Sequence, residues 1–258
     1  LDLESSLHQL GFDAFRPGQR EAIETLLDSE RLLLVAPTGG GKSLTYQLPA
    51  TLLGGTTLVV SPLISLMHDQ VLALESRGLP ATYLASTLDA EELRQRMQAM
   101  ATGQYKIVYA APERLVYGGF RSLLRELNCP LIAIDEAHCI SEWGHDFRPE
   151  YLQIGDLIQS LPEARVLACT ATATPVVRDE ILERLGLPTD TPQLVRGFAR
   201  PNLSLRVAEA NSRAERTRRI NQLLSESLDK PNAGRGTAII YAPTRKSTEE
   251  EAARLSGE

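Results

Sequence analysis

Apolar residues recur at helical spacing from Leu3 to Leu27, with a break between Gly11 and Gly18, a pattern that predicts helix, loop, helix. The pattern then changes to short apolar runs alternating with helical stretches. The runs Leu32–Ala36, Thr57–Ser61, Ile107–Ala110, Leu131–Ile134 and Arg165–Thr170 are predicted strands, each followed by a helix. Runs this uniformly apolar belong to strands buried on both faces, as in a parallel sheet covered by helices. The helix after the last run has its own end signals: Thr174 as N-cap, Pro175 in the first turn and Gly186 as stop.

Further along, the Gly- and Pro-bearing stretch from Gly197 to Leu203 predicts a boundary. Beyond it come a predicted strand at Leu203–Val207, a charged helix at Arg213–Leu228 and a loop at Asp229–Gly236. A second strand at Thr237–Tyr241 and a helix from about Ser247 follow. These read as the start of a second α/β unit.

Composition narrows the class. The 258 residues are 43% hydrophobic and 23% charged, the balance of a globular protein with a substantial core. A formal net charge of −6 supplies no overall basic field, so any nucleic-acid binding must rest on a local patch and on stacking. Cys129, Cys139 and Cys169 are odd in number and widely spaced, which predicts free thiols and a reducing compartment. His138, Cys139 and His145 match no common zinc spacing and lack a fourth partner. No apolar run approaches the roughly 20 residues of a membrane span, and the expected location is the cytoplasm, on the nucleoid of a bacterium or in the nucleus of a eukaryote.

Two stretches carry chemistry. In the first, the apolar run Leu32–Ala36 feeds Pro37-Thr38-Gly39-Gly40-Gly41-Lys42-Ser43 at the start of a helical pattern. Glycines let successive backbone N–H groups converge on one anion, and the helix adds its unpaired N–H groups and dipole. In such phosphate loops the lysine reaches the β- and γ-phosphates and the hydroxyl ligates Mg²⁺. Ala36 stands where the usual pattern has its first glycine. In the second stretch, the run Leu131–Ile134 ends in Asp135-Glu136-Ala137-His138. A parallel sheet puts these acids on the same rim as the phosphate loop, Asp135 to hold Mg²⁺ and Glu136 to activate the attacking water. Together they point to an ATPase.

Asp135-Glu136-Ala137-His138 is similar to motif II of superfamily 2 helicases. The run from Cys139 to Pro149, which includes Trp143, Phe147 and Arg148, resembles the aromatic-rich loop of RecQ-family DNA helicases. The stretches Leu10–Gln19, Val60–Gln70, Tyr109–Leu115, Thr170–Thr174 and Phe198–Asn202 resemble further motifs of that family in order and spacing, and Ala-Pro-Thr-Gly-Gly-Gly-Lys-Ser is how such motors tend to write the phosphate loop.

The resemblance implies a RecA-like (P-loop NTPase) parallel sheet sandwiched by helices over residues 1–201, with the start of a second RecA-like domain at 202–258. It implies ATP and Mg²⁺ held by Thr38, Gly39, Gly40, Gly41, Lys42, Ser43 and Asp135. Phe12 and Arg16 would sandwich the adenine while Gln19 bonds its edge; the alternative for Phe12 and Phe15 is simple packing. Glu136 and Lys42 would be catalytic, with His138, Thr170 and Thr172 relaying nucleotide state. Ser61 and Arg114 would hold phosphates of single-stranded DNA. Trp143, Phe147 and Arg148 would couple DNA to hydrolysis; the alternative for Trp143 is packing under the loop as a local core.

The implied activity is 3′ to 5′ translocation on single-stranded DNA and unwinding at duplex junctions, with no membrane partner. The implied arginine finger, in the rest of the second RecA-like domain, would lie beyond residue 258, as would a four-cysteine zinc region and a winged helix. Since such a finger contributes roughly 10³–10⁵ in kcat, these residues alone are expected to bind ATP and hydrolyse it slowly. Two rivals stand beside this reading: another superfamily 2 motor acting on RNA or duplex DNA, and a nucleotide- or DNA-binding module without turnover.

Overall fold

Five of the strands form where apolar runs demand burial on both faces. In a computed structural model, which describes residues 2–143, 146–197, 203–228 and 236–256, they are β1 (Arg31–Val35), β2 (Thr57–Val60), β4 (Ile107–Ala110), β5 (Leu131–Ile134) and β6 (Arg165–Thr170). Two edge strands complete a seven-stranded sheet: β3 (Ala81–Leu84) and β7 (Gln193–Val195), in the order β3-β4-β2-β5-β6-β1-β7 with every pair parallel.

Helices α1 (Leu3–Gln9), α2 (Gln19–Ser29), α3 (Leu44–Leu52) and α4 (Ile64–Glu75) precede α5 (Ala90–Ala101) and α6 (Gly118–Glu126). Next come α7 (Gln153–Ser160) and α8 (Pro175–Leu185). The sheet separates two buried clusters. One holds Leu7, Ile23, Leu32, Leu34 and Tyr46; the other holds Leu33, Val35, Phe120, Tyr151 and Ile181. Alternate residues of β1 therefore serve opposite layers, as the strand period requires. The signals around α8 act as expected. Thr174 accepts from the Val177 N–H, and Gly186 closes the helix at φ 66° in the left-handed region.

Register fixes what shares a rim. Val35 lies beside Thr170, Ile134 beside Ala168, and Val60 beside Ile134. The ends of β1, β6, β5 and β2 are thus consecutive along one edge, where open parallel sheets place ligands.

The chain divides into two compact units, residues 1–199 and 200–258. The expected boundary segment 198–202 lies outside the described residues. The described part of the second unit holds helices α9 (Arg213–Leu228) and α10 (Arg245–Ser256). They are joined by Arg213 to Glu250 at 2.7 Å and by Arg254 to Asn221 at 2.8 Å. Here the expectation fails: 203–207 and 237–241 form no strand. Leu205 is 93% exposed, Val207 99% and Tyr241 90%. An alternating apolar run becomes a strand only where a neighbour pairs its backbone and covers one face.

Candidate active site

The loop after β1 turns on its glycines, and the Gly40 N–H is used within it, donating to the Pro37 carbonyl at 2.9 Å. Gly39 and Gly41 both take left-handed angles, φ 79° and 76°, which only glycine adopts without strain. A Cβ at Gly41 would collide with the Gln19 amide. That amide donates to the Gly41 carbonyl at 2.9 Å, its oxygen accepts the Arg16 N–H at 2.7 Å, and Arg16 Nη1 donates to the Gly39 carbonyl at 2.5 Å. Gln19 and Arg16, read from sequence as nucleotide contacts, therefore brace the loop itself. Phe12 is half-buried with the Arg77 guanidinium 4.7 Å from its ring centre; Phe15 is half-buried beside Arg20 at 5.7 Å.

Lys42 Nζ donates to the Ala36 carbonyl at 3.1 Å, so its ammonium is held on the residue that ends the apolar run feeding the loop. Thr38 is exposed, and Gly40 and Ser43 are partly so. Ser43 immediately precedes α3, which aims the helix N-terminus at the same space.

Asp135 continues β5, its N–H donating to the Val60 carbonyl at 2.8 Å. Its carboxylate accepts from the Glu136 N–H at 3.0 Å and from the Cys169 thiol at 3.5 Å, while Tyr151 donates to its carbonyl at 2.9 Å. Burial, then the charge of Glu136, push the Asp135 carboxyl above the ordinary range, against the pull of Lys42. Glu136 has φ 49°. A left-handed glutamate is strained, and such residues concentrate at functional sites. The turn re-aims its carboxylate to within 3.3 Å of His138 Nδ1. The same nitrogen lies 2.9 Å from the Thr170 hydroxyl, which in turn exchanges contacts with Thr172 at 3.2 and 3.3 Å.

The strand ends beyond β5 carry the remaining candidates. Ser61 is buried, and among the described residues its hydroxyl has no hydrogen-bond partner. Arg114, in a short turn after β4, stacks 4.6 Å over Tyr117. Arg148 reaches back to the Pro62 carbonyl at 3.4 Å and to Asp146 at 3.3 Å, tying the segment after the acids to the end of β2. Phe147 is half-buried; Trp143 is 78% exposed, not a local core. Of the dismissed zinc set, His145 lies outside the described residues. His138, Cys139 and Asp146 do bring ligand atoms within 4.8 Å of one another, but the Arg148 guanidinium shares Asp146.

A family model described as DEAD/DEAH box helicase matches residues 16–180. The chain belongs to the DEAD/DEAH box helicase family. Within it, the sequence is 42% identical to the ATP-dependent DNA helicase RecQ of Bacillus subtilis over 96% of this chain and 41% of that protein. It is 41% identical to the ATP-dependent DNA helicase RecQ of Haemophilus influenzae over 95% of this chain and 38% of that one. These likenesses agree with the RecQ resemblance read from the motifs. The chain spans about two fifths of the length of these curated relatives. Among solved structures, the Mycobacterium smegmatis helicase Lhr bound to ssDNA and AMP-PNP aligns with a TM-score of 0.60 at 21% identity, covering 99% of this chain and 35% of that one. That likeness extends to the fold, a RecA-like helicase domain.

Sequence reasoning missed Tyr151 and Cys169, which steady Asp135, and Glu180, which holds the segment before Trp143. Cys169 had a usable signal, since it precedes Thr170 at the end of a strand predicted to share the rim. Tyr151 and Glu180 reach the site only through the packing of the loop and of α8.

Proposed function

We propose that this chain is the nucleotide-driven motor of a DNA helicase, in which ATP with Mg²⁺ acts at the ends of β1, β6 and β5 and single-stranded DNA acts at the ends of β2 and β4. Residues 1–201 serve as the first RecA-like lobe and 202–258 as the start of a second. The observation that carries the reading is the position of His138, with one ring nitrogen within reach of both the Glu136 carboxylate and the Thr170 hydroxyl.

The donor set fits the nucleotide and its ion. Left-handed glycines, an ammonium and a helix N-terminus face one space, and a hydroxyl and a buried carboxylate stand beside it. Ser43 and Asp135 would hold Mg²⁺, which when bound neutralises charge on the β- and γ-phosphates. Lys42 and the loop amides other than that of Gly40, which donates to Pro37, bind the phosphates. Glu136 orients a water and takes its proton at a carboxylate oxygen. His138 senses the state of Glu136 and passes it to Thr170 and Thr172. Trp143 and Phe147 stack on bases, and Ser61, Arg114 and Arg148 hold the strand.

Translocation from 3′ to 5′, unwinding at duplex junctions, and work in the cytoplasm, nucleoid or nucleus follow from the RecQ likeness as part of the proposal.

The test is steady-state ATPase of the protein with single-stranded DNA, with RNA and with neither. DNA-selective stimulation supports the reading. Stimulation by RNA alone identifies another superfamily 2 motor, and nucleotide binding without any turnover identifies a binding module.

A further inference from the structure

The exposed Trp143 is held from beneath by a helix on the far side of the motif. Ser141 is fully buried and donates its hydroxyl to Glu180 on α8. The Glu142 N–H donates to the other Glu180 oxygen at 3.3 Å, and the Trp143 N–H donates to Ser141 Oγ at 3.1 Å. Arg184, one turn along α8, bridges Glu142 at 3.0 Å and Glu180 at 3.4 Å. One carboxylate therefore binds two consecutive loop residues, and a third hangs from the first. Partial burial by itself would raise the Glu180 carboxyl; the Ser141 hydroxyl, the Glu142 amide and Arg184 outweigh it, so the group lies below its ordinary range.

The surroundings do not suit a polyanion. Trp143 and Val176 share an open groove of about 550 Å³ with Asp179, Glu180, Glu183 and Arg184. Three carboxylates against one guanidinium repel phosphates from this side of the indole. With the contacts closed, Trp143 is exposed yet faces the wrong charge to receive a strand.

We infer that Glu180 is a positioning residue, a clasp that holds Ser141 and Glu142, and through them Trp143, and that single-stranded DNA must draw Ser141 and Glu142 away from it to stack on the indole. The inference rests on the reading that this loop contacts single-stranded DNA. The clasp is a cost that strand binding must meet, and its removal pre-organises the loop.

Trp143 is the only tryptophan among the 258 residues, so its emission reports on the loop. The experiment titrates the chain with a 15-mer of deoxythymidine, recording Trp143 fluorescence, acrylamide quenching and strand affinity for wild type, Glu180→Ala, Glu180→Gln and Ser141→Ala. Glu180→Ala is expected to move the strand-free spectrum toward the strand-bound one and to tighten binding roughly tenfold, the scale of one charge-assisted hydrogen bond. Glu180→Gln retains an acceptor for Ser141 but none for Glu142, and is expected to fall between. Ser141→Ala repeats the effect with α8 intact, should Glu180→Ala fold poorly.

Unchanged emission in folded Glu180→Ala and Ser141→Ala, whatever the affinity of Glu180→Ala, overturns the clasp while leaving the strand reading in place. A wild-type chain whose Trp143 ignores the oligonucleotide overturns both.

Discussion

His138 Nδ1 stands 2.9 Å from the Thr170 hydroxyl, across the space between the turn after β5 and the end of β6. Because Glu136 lies 3.3 Å from the same nitrogen, this contact joins the proposed catalytic carboxylate to the segment that opens toward α8. Thr170→Val removes the hydroxyl at nearly constant volume. It is expected to lower kcat about tenfold, the scale of one hydrogen bond, with ATP affinity unchanged. Parallel turnover and nucleotide-binding measurements check this.

Glu136→Gln preserves shape and removes the base. Turnover in the presence of DNA should fall roughly 10²- to 10⁴-fold, while Mg²⁺-dependent ATP binding survives. A fluorescent ATP analogue reads the second half of this expectation directly.

Trp143→Ala and Phe147→Ala each delete a stacking face, at about 1–3 kcal/mol per base. Strand affinity and the DNA-stimulated fraction of turnover should both drop, and basal turnover should not. A stimulation ratio equal to wild type would assign coupling to other residues.

Tyr151→Phe removes the donor to the Asp135 carbonyl and leaves that buried acceptor unpaired. The expected loss is about 1–3 kcal/mol in urea unfolding, small enough for the variant to fold and large enough to measure.

The three buried cysteines give a pH signature. Burial pushes the Cys129 thiol up to about 11 and the Cys139 thiol up to about 12, from an ordinary value of 9.0. Raised acids favour the protonated form in the fold, so above about pH 9 the unfolded chain releases protons that the folded chain keeps, and stability falls as pH rises. Below that window the thiols contribute no slope. Urea midpoints between pH 7.5 and 10.5 test the sign, and thiol reagents at pH 8 should modify all three cysteines only after unfolding.

Much of this architecture is legible in the sequence because β1, β2, β4, β5 and β6 are apolar on both faces, and only a covered parallel sheet accommodates that. β3 and β7 escape notice for the opposite reason. Ala81–Leu84 follows a proline, and Gln193–Val195 is three residues of an incompletely covered edge; neither offers a run that stands out. The strands expected at 203–207 and 237–241 have the right residues, but among the described residues no strand pairs with them. In the site, Lys42, Ser43, Asp135 and Glu136 are legible because their chemistry is local to one loop or one strand end. Gln19 bracing Gly41, Tyr151 on Asp135 and Glu180 on Ser141 beneath Trp143 join residues 16 to 39 positions apart, through packing that no local pattern encodes.

Equilibrium binding of an ATP analogue to this chain, with and without Mg²⁺, in wild type, Lys42→Ala and Glu136→Gln, decides whether the rim of β1, β6 and β5 is a Mg²⁺·ATP site. Binding is expected to be saturable and Mg²⁺-dependent, retained by Glu136→Gln and weakened at least tenfold by Lys42→Ala, the loss of one charge-assisted contact. Equal binding by wild type and Lys42→Ala, or binding indifferent to Mg²⁺, would contradict that assignment.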